Sequence, residues 1–236
     1  MSELLLADRI ALVTGASRGL GRAIAKAYAA QGAHVIALAR TKGALEELDD
    51  EIQAEGHPPL TLIPEDLTKY EALDQIGAAL YERFGRLDIL VANAGILGTL
   101  TPMGHIKPKE WDRVLAVNLT ANWRLLRSME PLLRASPAGR AIFVTSGAAV
   151  GARPYWGTYA VSKAALEAMV RAWAAELNKT NVKANLVNPG RTRTKMRAKA
   201  YPGENPETVP TPEERVGVFL DLARADSQQN GECLEA

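Results

Sequence analysis

The chain has 236 residues, 47% hydrophobic and 23% charged, with a net charge of +1. That size and mixture suit a globular α/β protein, and the near-zero charge gives no electrostatic footprint for nucleic acid. The single Cys233 excludes internal disulfides and cysteine-rich metal sites, and His34, His57 and His105 are too scattered for a histidine metal centre, so no metal is expected. No apolar run reaches the ~18 residues of a membrane span. Met1-Ser2-Glu3-Leu4-Leu5-Leu6 lacks the basic region and cleavage site of a signal peptide. No membrane partner is expected, and a cytoplasmic location is.

In chain order, a short apolar run over 9–14 breaks at Gly15, and helical periodicity over 23–30 ends at Gly32. A second strand is predicted over 33–39 and an N-capped amphipathic helix over 41–55. A third strand, 60–63, leads to Glu65-Asp66; a helix over 69–84 stops at Gly85; a fourth strand, 87–92, ends in Asn93-Ala94-Gly95. A loop punctuated by Gly and Pro precedes a long helix over 108–133, where Pro131 is predicted to end or kink the last turn. A fifth strand over 141–145, a helix over 156–178 and a sixth strand over 182–187 follow. Pro202, Pro206, Pro210 and Pro212 mark the next stretch as an irregular excursion. A helix over 213–224 and a seventh strand over 231–235 complete the pattern.

Alternating strands and helices imply an α/β fold, a doubly wound parallel sheet of six to seven strands with helices on both faces. No linker interrupts it, so residues 1–236 read as one domain. Ligands of such sheets bind beyond the carboxyl ends of the strands. The loops after Thr14, Ala39, Ile63, Ala92, Thr145 and Val187 should therefore share one rim.

The first of those loops is Thr14-Gly15-Ala16-Ser17-Arg18-Gly19-Leu20-Gly21. Its glycines allow a tight turn and let a phosphate approach the backbone at a helix N-terminus. The second strand ends Leu38-Ala39-Arg40, without the carboxylate that NAD binders place near the ribose 2′-hydroxyl. Arg40 and Arg18 are instead suited to a 2′-phosphate, which favours NADP(H) over NAD(H). Asp66 has two readings, an acceptor for the adenine amino group or a helix cap. Asn93-Ala94-Gly95 is either a simple turn or a backbone surface facing the adenosine ribose. Asn118 lies inside a helix, where asparagine is unfavourable without a reason; it caps a local break or binds water near the site. Tyr159 and Lys163 are four apart on a predicted helix and so share a face. A nearby cation lowers a phenol pKa, and Ser146 at the end of the fifth strand adds a second hydroxyl. Such a pair suits proton transfer to a carbonyl oxygen.

Together these motifs, with Tyr159-Ala160-Val161-Ser162-Lys163 and Asn188-Pro189-Gly190, resemble the short-chain dehydrogenase/reductase family in order and spacing over roughly residues 8–225. Thr192 to Arg197 further resembles uncharacterised bacterial oxidoreductases of that family. The resemblance implies a single Rossmann-like domain and an NAD(P)(H)-dependent interconversion of a carbonyl and a secondary alcohol. Tyr159 would be the acid/base and Ser146 the partner of the substrate oxygen. Lys163 would hold the nicotinamide ribose and lower the Tyr159 pKa. Asn118 would hold a relay water. The implied cofactor set is Gly15, Ser17, Arg18, Gly19, Leu20, Gly21, Arg40, Asp66, Leu67, Asn93, Ala94, Gly95, Tyr159, Lys163, Pro189, Gly190, Thr192 and Thr194. A small-molecule substrate and a homodimer or homotetramer are implied too.

Ala92 and Thr192 depart from the family's usual residues, and the chain reaches Ala236 shortly after the seventh strand begins. Residues 191–213 correspond to the flap over the substrate, made basic by Arg191, Arg193, Lys195, Arg197 and Lys199; they welcome an acidic substrate, serve as a solvated face or contact cofactor phosphates. Ala152, Arg153, Tyr155 and Trp156 are placed to line the pocket. Trp111 and Trp123 are predicted to pack on the long helix. The competing functional reading is a non-catalytic NAD(P)-binding module that senses redox state.

Overall fold

The computed structural model describes residues 4–236. Seven strands, β1 (Ile10–Thr14), β2 (His34–Ala39), β3 (Thr61–Pro64), β4 (Ile89–Ala92), β5 (Arg140–Val144), β6 (Lys183–Asn188) and β7 (Cys233–Glu235), form one sheet in the order β3-β2-β1-β4-β5-β6-β7. Every pairing is parallel. Burial on both faces explains why β1, β4 and β5 read as continuous apolar runs rather than as alternation. The strand order reverses between β1 and β4, which opens a crevice at their carboxyl ends.

Among the described residues eight α-helices accompany the sheet: α1 (Gly19–Ala30), α2 (Lys42–Ala54), α3 (Tyr70–Phe84), α4 (Pro108–Leu115), α5 (Ala121–Ala135), α6 (Gly157–Glu176), α7 (Lys195–Ala200) and α8 (Gly217–Ala223). Side chains alternate across each strand. Leu12 and Ile36 point to the face packed by α3, α5 and α6, through Leu73, Met129 and Val170. Ala11, Val13 and Val35 point to the face packed by α1, α2 and α8, through Ile24, Leu48 and Phe219. The Tyr28 hydroxyl donates to the Phe219 carbonyl at 2.8 Å and ties α1 to α8.

Five local expectations are corrected. The helix predicted over 108–133 is two α segments joined by one wide π-type turn, Ala116–Thr120. Pro131 does not end α5, because the buried Met129, Leu132 and Leu133 hold its last turns against the sheet through Ala135. Thr41 occupies the N-cap of α2, yet its hydroxyl makes no capping bond. Residues 191–213 are not wholly irregular: they include α7, whose first turn is capped by Thr194 accepting from the Arg197 amide at 3.1 Å. Trp123 is exposed on α5 rather than packed.

Candidate active site

The crevice between β1 and β4 is closed by hydrogen bonds that leave the glycine turn bare. The Asn93 and Ala94 amides donate to Thr14 Oγ1 at 3.0 and 3.1 Å, and Asn93 Nδ2 donates to the Thr14 carbonyl at 2.9 Å. Gly15 (φ +68°) and Gly19 (φ +55°) occupy the left-handed region. A Cβ on Gly15 would lie 2.9 Å from Asn93 Nδ2, and one on Gly21 would collide with Asn93 Nδ2 and the Gly15 carbonyl. The turn therefore nests directly on the 93–95 loop. Arg18 is the N-cap of α1 and caps it with no side-chain bond, so the first-turn amides face outward. Thr194 reaches over from the flap, with its methyl 3.2 Å from where a Gly19 Cβ would stand. Thr192 Oγ1 donates to the Pro189 carbonyl at 2.9 Å, and Gly190 (φ +60°) turns the chain toward that contact. Leu20 is buried in the turn and Ser17 half-buried, whereas Leu67 is buried in the core on the opposite face of the sheet.

Arg40 ends exposed at the tip of β2, with Nη1 3.8 Å from Asp66 Oδ2. Asp66 Oδ1 accepts from the Thr68 amide at 2.9 Å and the Thr68 hydroxyl at 2.8 Å. Burial pushes the Asp66 carboxyl up, but the Thr68 bonds and the charges of Arg40 and Lys69 outweigh it and hold it below the usual range. The capping expectation is corrected: no side chain caps α3. Asp66 closes the turn leading to α3, whose N-cap is Lys69.

Asn118, Ser146, Tyr159 and Lys163 converge on the far side of the 93–95 loop. Asn118 is fully buried in the wide turn after α4. Its Oδ1 accepts from the Ile96 amide at 2.8 Å, and its Nδ2 donates to the Ile96 carbonyl at 2.9 Å and to Ser162 Oγ at 3.0 Å. Ser162 Oγ donates in turn to the Tyr159 carbonyl at 2.7 Å. The Asn118 side chain is thus a brace, with no donor or acceptor left over from these three bonds for the predicted relay water except a second lone pair on Oδ1. Its main-chain carbonyl accepts from Asn122 Nδ2 at 2.8 Å.

Lys163 Nζ donates to the Val144 carbonyl at 2.7 Å and lies 5.9 Å from the Tyr159 ring centroid. Burial pulls its pKa down to about 8, against the opposing charge of Glu167 one turn on. Glu167 itself accepts from Thr145 Oγ1 at 2.8 Å and pairs with Arg171 at 2.8 Å. Burial pushes the Tyr159 phenol up, and a hydrogen bond with Ser146 opposes the rise. Here the structure corrects the expectation that Lys163 lowers the phenol: the amine is turned to Val144, and desolvation dominates. At neutral pH, Tyr159 carries its proton.

A Cβ on Gly95 would lie 3.3 Å from Asn118 Oδ1 and 3.6 Å from Lys163 Nζ. Gly95 therefore forms the floor between the glycine turn and the acid–base residues. A concave strip of bare backbone with outward amides at one end and an amine at the other fits a dinucleotide.

Sequence reasoning left Thr14, Ser162, Glu167 and Tyr201 out of the site. Ser162 and Glu167 had local signals, a serine three residues after Tyr159 that back-bonds within the helix and a carboxylate four residues after Lys163. The others are recognised only by contacts remote in sequence. Among the described residues no group of His, Cys, Asp or Glu is placed to hold a metal ion, and no helix is long and apolar enough to cross a membrane.

The family model described as short chain dehydrogenase matches residues 9–205. The Escherichia coli K12 protein named uncharacterized oxidoreductase YciK is 40% identical over 227 residues, covering 95% of this chain and 90% of its own length. A short chain dehydrogenase from Salmonella enterica serovar Typhi superposes with a TM-score of 0.96 at 36% identity, covering 100% of this chain and 98% of that one. A protein assigned to the short chain dehydrogenases from Escherichia coli CFT073, complexed with NADPH, superposes with a TM-score of 0.95 at 38% identity, covering 100% and 99%. With the parallel seven-stranded sheet and the residues converging at its crevice, the chain belongs to the short chain dehydrogenase family.

Proposed function

We propose that this chain is an NADP(H)-dependent oxidoreductase that interconverts a small-molecule carbonyl and a secondary alcohol. The observation that carries the reading is the placement of the Tyr159 hydroxyl beside Ser146, with Lys163 Nζ close to Gly95, on the same rim as the Gly15–Gly21 turn.

The outward amides at the start of α1 and the bare glycines receive the diphosphate. Arg40, with Arg18 from the glycine turn, takes the 2′-phosphate, and the NADPH complex of the relative supports that choice. When bound, the cofactor supplies or accepts the hydride. Tyr159, kept protonated by burial, gives its phenolic proton to the oxygen of the carbonyl being reduced. In the reverse direction the Tyr159 phenolate takes the proton of the alcohol. Ser146 holds that oxygen with its hydroxyl. Lys163, with its pKa near neutrality, orients the ribose and re-supplies the proton. Asn118 fixes Ile96 and Ser162, and through Ser162 the backbone of Tyr159. Positioned proton transfer of this kind is worth roughly 10²–10⁴-fold in rate.

The same reading makes the protein a cytoplasmic homodimer or homotetramer paired through α5 and α6. The exposed Trp123, beside Arg127 and Pro131 on α5, supports that face, and light scattering at micromolar concentration measures it.

NADPH binding followed by fluorescence, then turnover over a panel of carbonyl compounds, tests the activity. Tyr159→Phe is expected to bind NADPH normally and to lose turnover. A Tyr159→Phe enzyme that stayed active would end the proposed proton-transfer role.

A further inference from the structure

The rim carries a second polar group that the acid–base set does not use. Arg153 lies on the loop between β5 and α6, and Tyr201 follows α7 on the flap side. Arg153 Nη1 donates to the Tyr201 hydroxyl at 3.0 Å, and the guanidinium carbon is 5.6 Å from the Trp156 ring centroid. Trp156 lies 5.8 Å from the Tyr201 ring and 5.8 Å from the Tyr159 ring. One indole therefore separates the guanidinium from the acid–base phenol. Around Tyr159 the remaining wall is apolar, built by Leu97, Leu100, Met196 and Ala200.

The positive charge here is not neutralised by the protein. Most of the basic flap is engaged elsewhere. Arg197 forks onto Glu204 at 2.6 and 2.7 Å, and Arg191 joins the same carboxylate at 3.3 Å. Arg193 donates to the Val209 carbonyl and Lys199 to the Gly98 carbonyl. Arg153 forms no ion pair among the described residues, and of the five N–H donors of a guanidinium only the one on Tyr201 is used. The backbone two residues on is strained. Tyr155 adopts a left-handed φ of +72°, rare for a residue with a side chain, while its carbonyl accepts from the Thr101 amide at 3.0 Å. Such strain recurs at ligand clamps.

We propose that Arg153 sets substrate specificity, and that the substrate class is a ring-bearing carbonyl compound with a carboxylate about one ring width from the reacting carbon. The ring lies on Trp156 and the carboxylate takes the open edge of the guanidinium, whose planar fork matches two carboxylate oxygens. The identity of the reacting carbonyl rests on the oxidoreductase reading above; the carboxylate site rests on Arg153 and its neighbours.

The test uses ring ketones bearing a carboxylate, such as 4-oxocyclohexanecarboxylate, each paired with its methyl ester. Calorimetry on the full chain saturated with NADP⁺ is expected to show the acid binding about tenfold or more tighter than the ester, the size of one charge-assisted contact. Arg153→Met should bring that ratio close to one without changing the affinity for NADPH, and Arg153→Lys should restore part of it. Equal binding of acid and ester by the wild type, or an acid preference that survives Arg153→Met, overturns the proposal. Turnover with NADPH then separates the two readings. Acid-selective binding with no reduction of either compound sinks the oxidoreductase reading and leaves the carboxylate site standing. Reduction of ester and acid with equal kcat/KM does the reverse.

Discussion

Lys163 Nζ donates to the carbonyl oxygen of Val144 at 2.7 Å, so this amine beside Tyr159 is moored to the end of β5. β5 also leads directly to Thr145 and Ser146. One strand end thus positions the lysine, the Ser146 hydroxyl and, through Thr145, the Glu167 carboxylate.

This mooring has a pH signature. Burial lowers the folded-state pKa of Lys163 from 10.5 to about 8. Between those values the unfolded chain binds more protons than the folded one, so stability rises with pH across that window. Below about 8 the penalty is fully present, with an upper bound of about 3 kcal/mol. Lys163→Met removes it. The wild-type Tm is therefore expected to gain on that of Lys163→Met as pH is raised from about 7.5 to about 9.5. Parallel melting curves across this range would contradict a desolvated amine.

Asn118→Ala deletes the bonds to both backbone groups of Ile96 and to Ser162. The Ile96 amide and carbonyl lose their partners at a partly buried site. A loss of about 2–4 kcal/mol is expected in urea unfolding. Activity should fall further than occupancy by cofactor, because Tyr159 loses its brace through Ser162. A variant as stable as the wild type would show that the wide turn after α4 holds itself without Asn118.

Gly95→Ala tests the floor of the cleft. Its new methyl would press on Asn118 Oδ1 at 3.3 Å and approach Lys163 Nζ at 3.6 Å. The backbone is not in the left-handed region, so the fold should survive with a cost of about 1 kcal/mol. NADPH affinity should drop by about tenfold or more, measured by fluorescence titration. Unchanged affinity would remove Gly95 from the cofactor surface.

Arg40→Ser addresses cofactor choice. The Arg40–Asp66 pair is exposed and 3.8 Å long, so its loss should leave the melting temperature nearly unchanged. The ratio of kcat/KM for NADPH over NADH should fall by about 10–100-fold, the worth of one charge-assisted phosphate contact. A constant ratio would transfer the role to Arg18.

The order and type of nearly all elements were legible in the sequence, because they depend on short-range physics. Strand runs, glycine stops and the 3.6-residue period are local, and with them came the rim that gathers Gly15–Gly21, Asn93–Gly95, Ser146, Tyr159 and Lys163. Tertiary structure alone decided what those groups face. No period marks the wide turn that presents Asn118. Nothing near Lys163 in the chain indicates Val144 as its partner, and burial of Tyr159 raises a phenol that an i, i+4 lysine was expected to lower. Glu204 absorbs two of the flap arginines, while Arg153, from another loop, stays free of carboxylates. Desolvation and ion pairing depend on which distant segments meet, and that is settled only when the sheet has brought its loops to one edge.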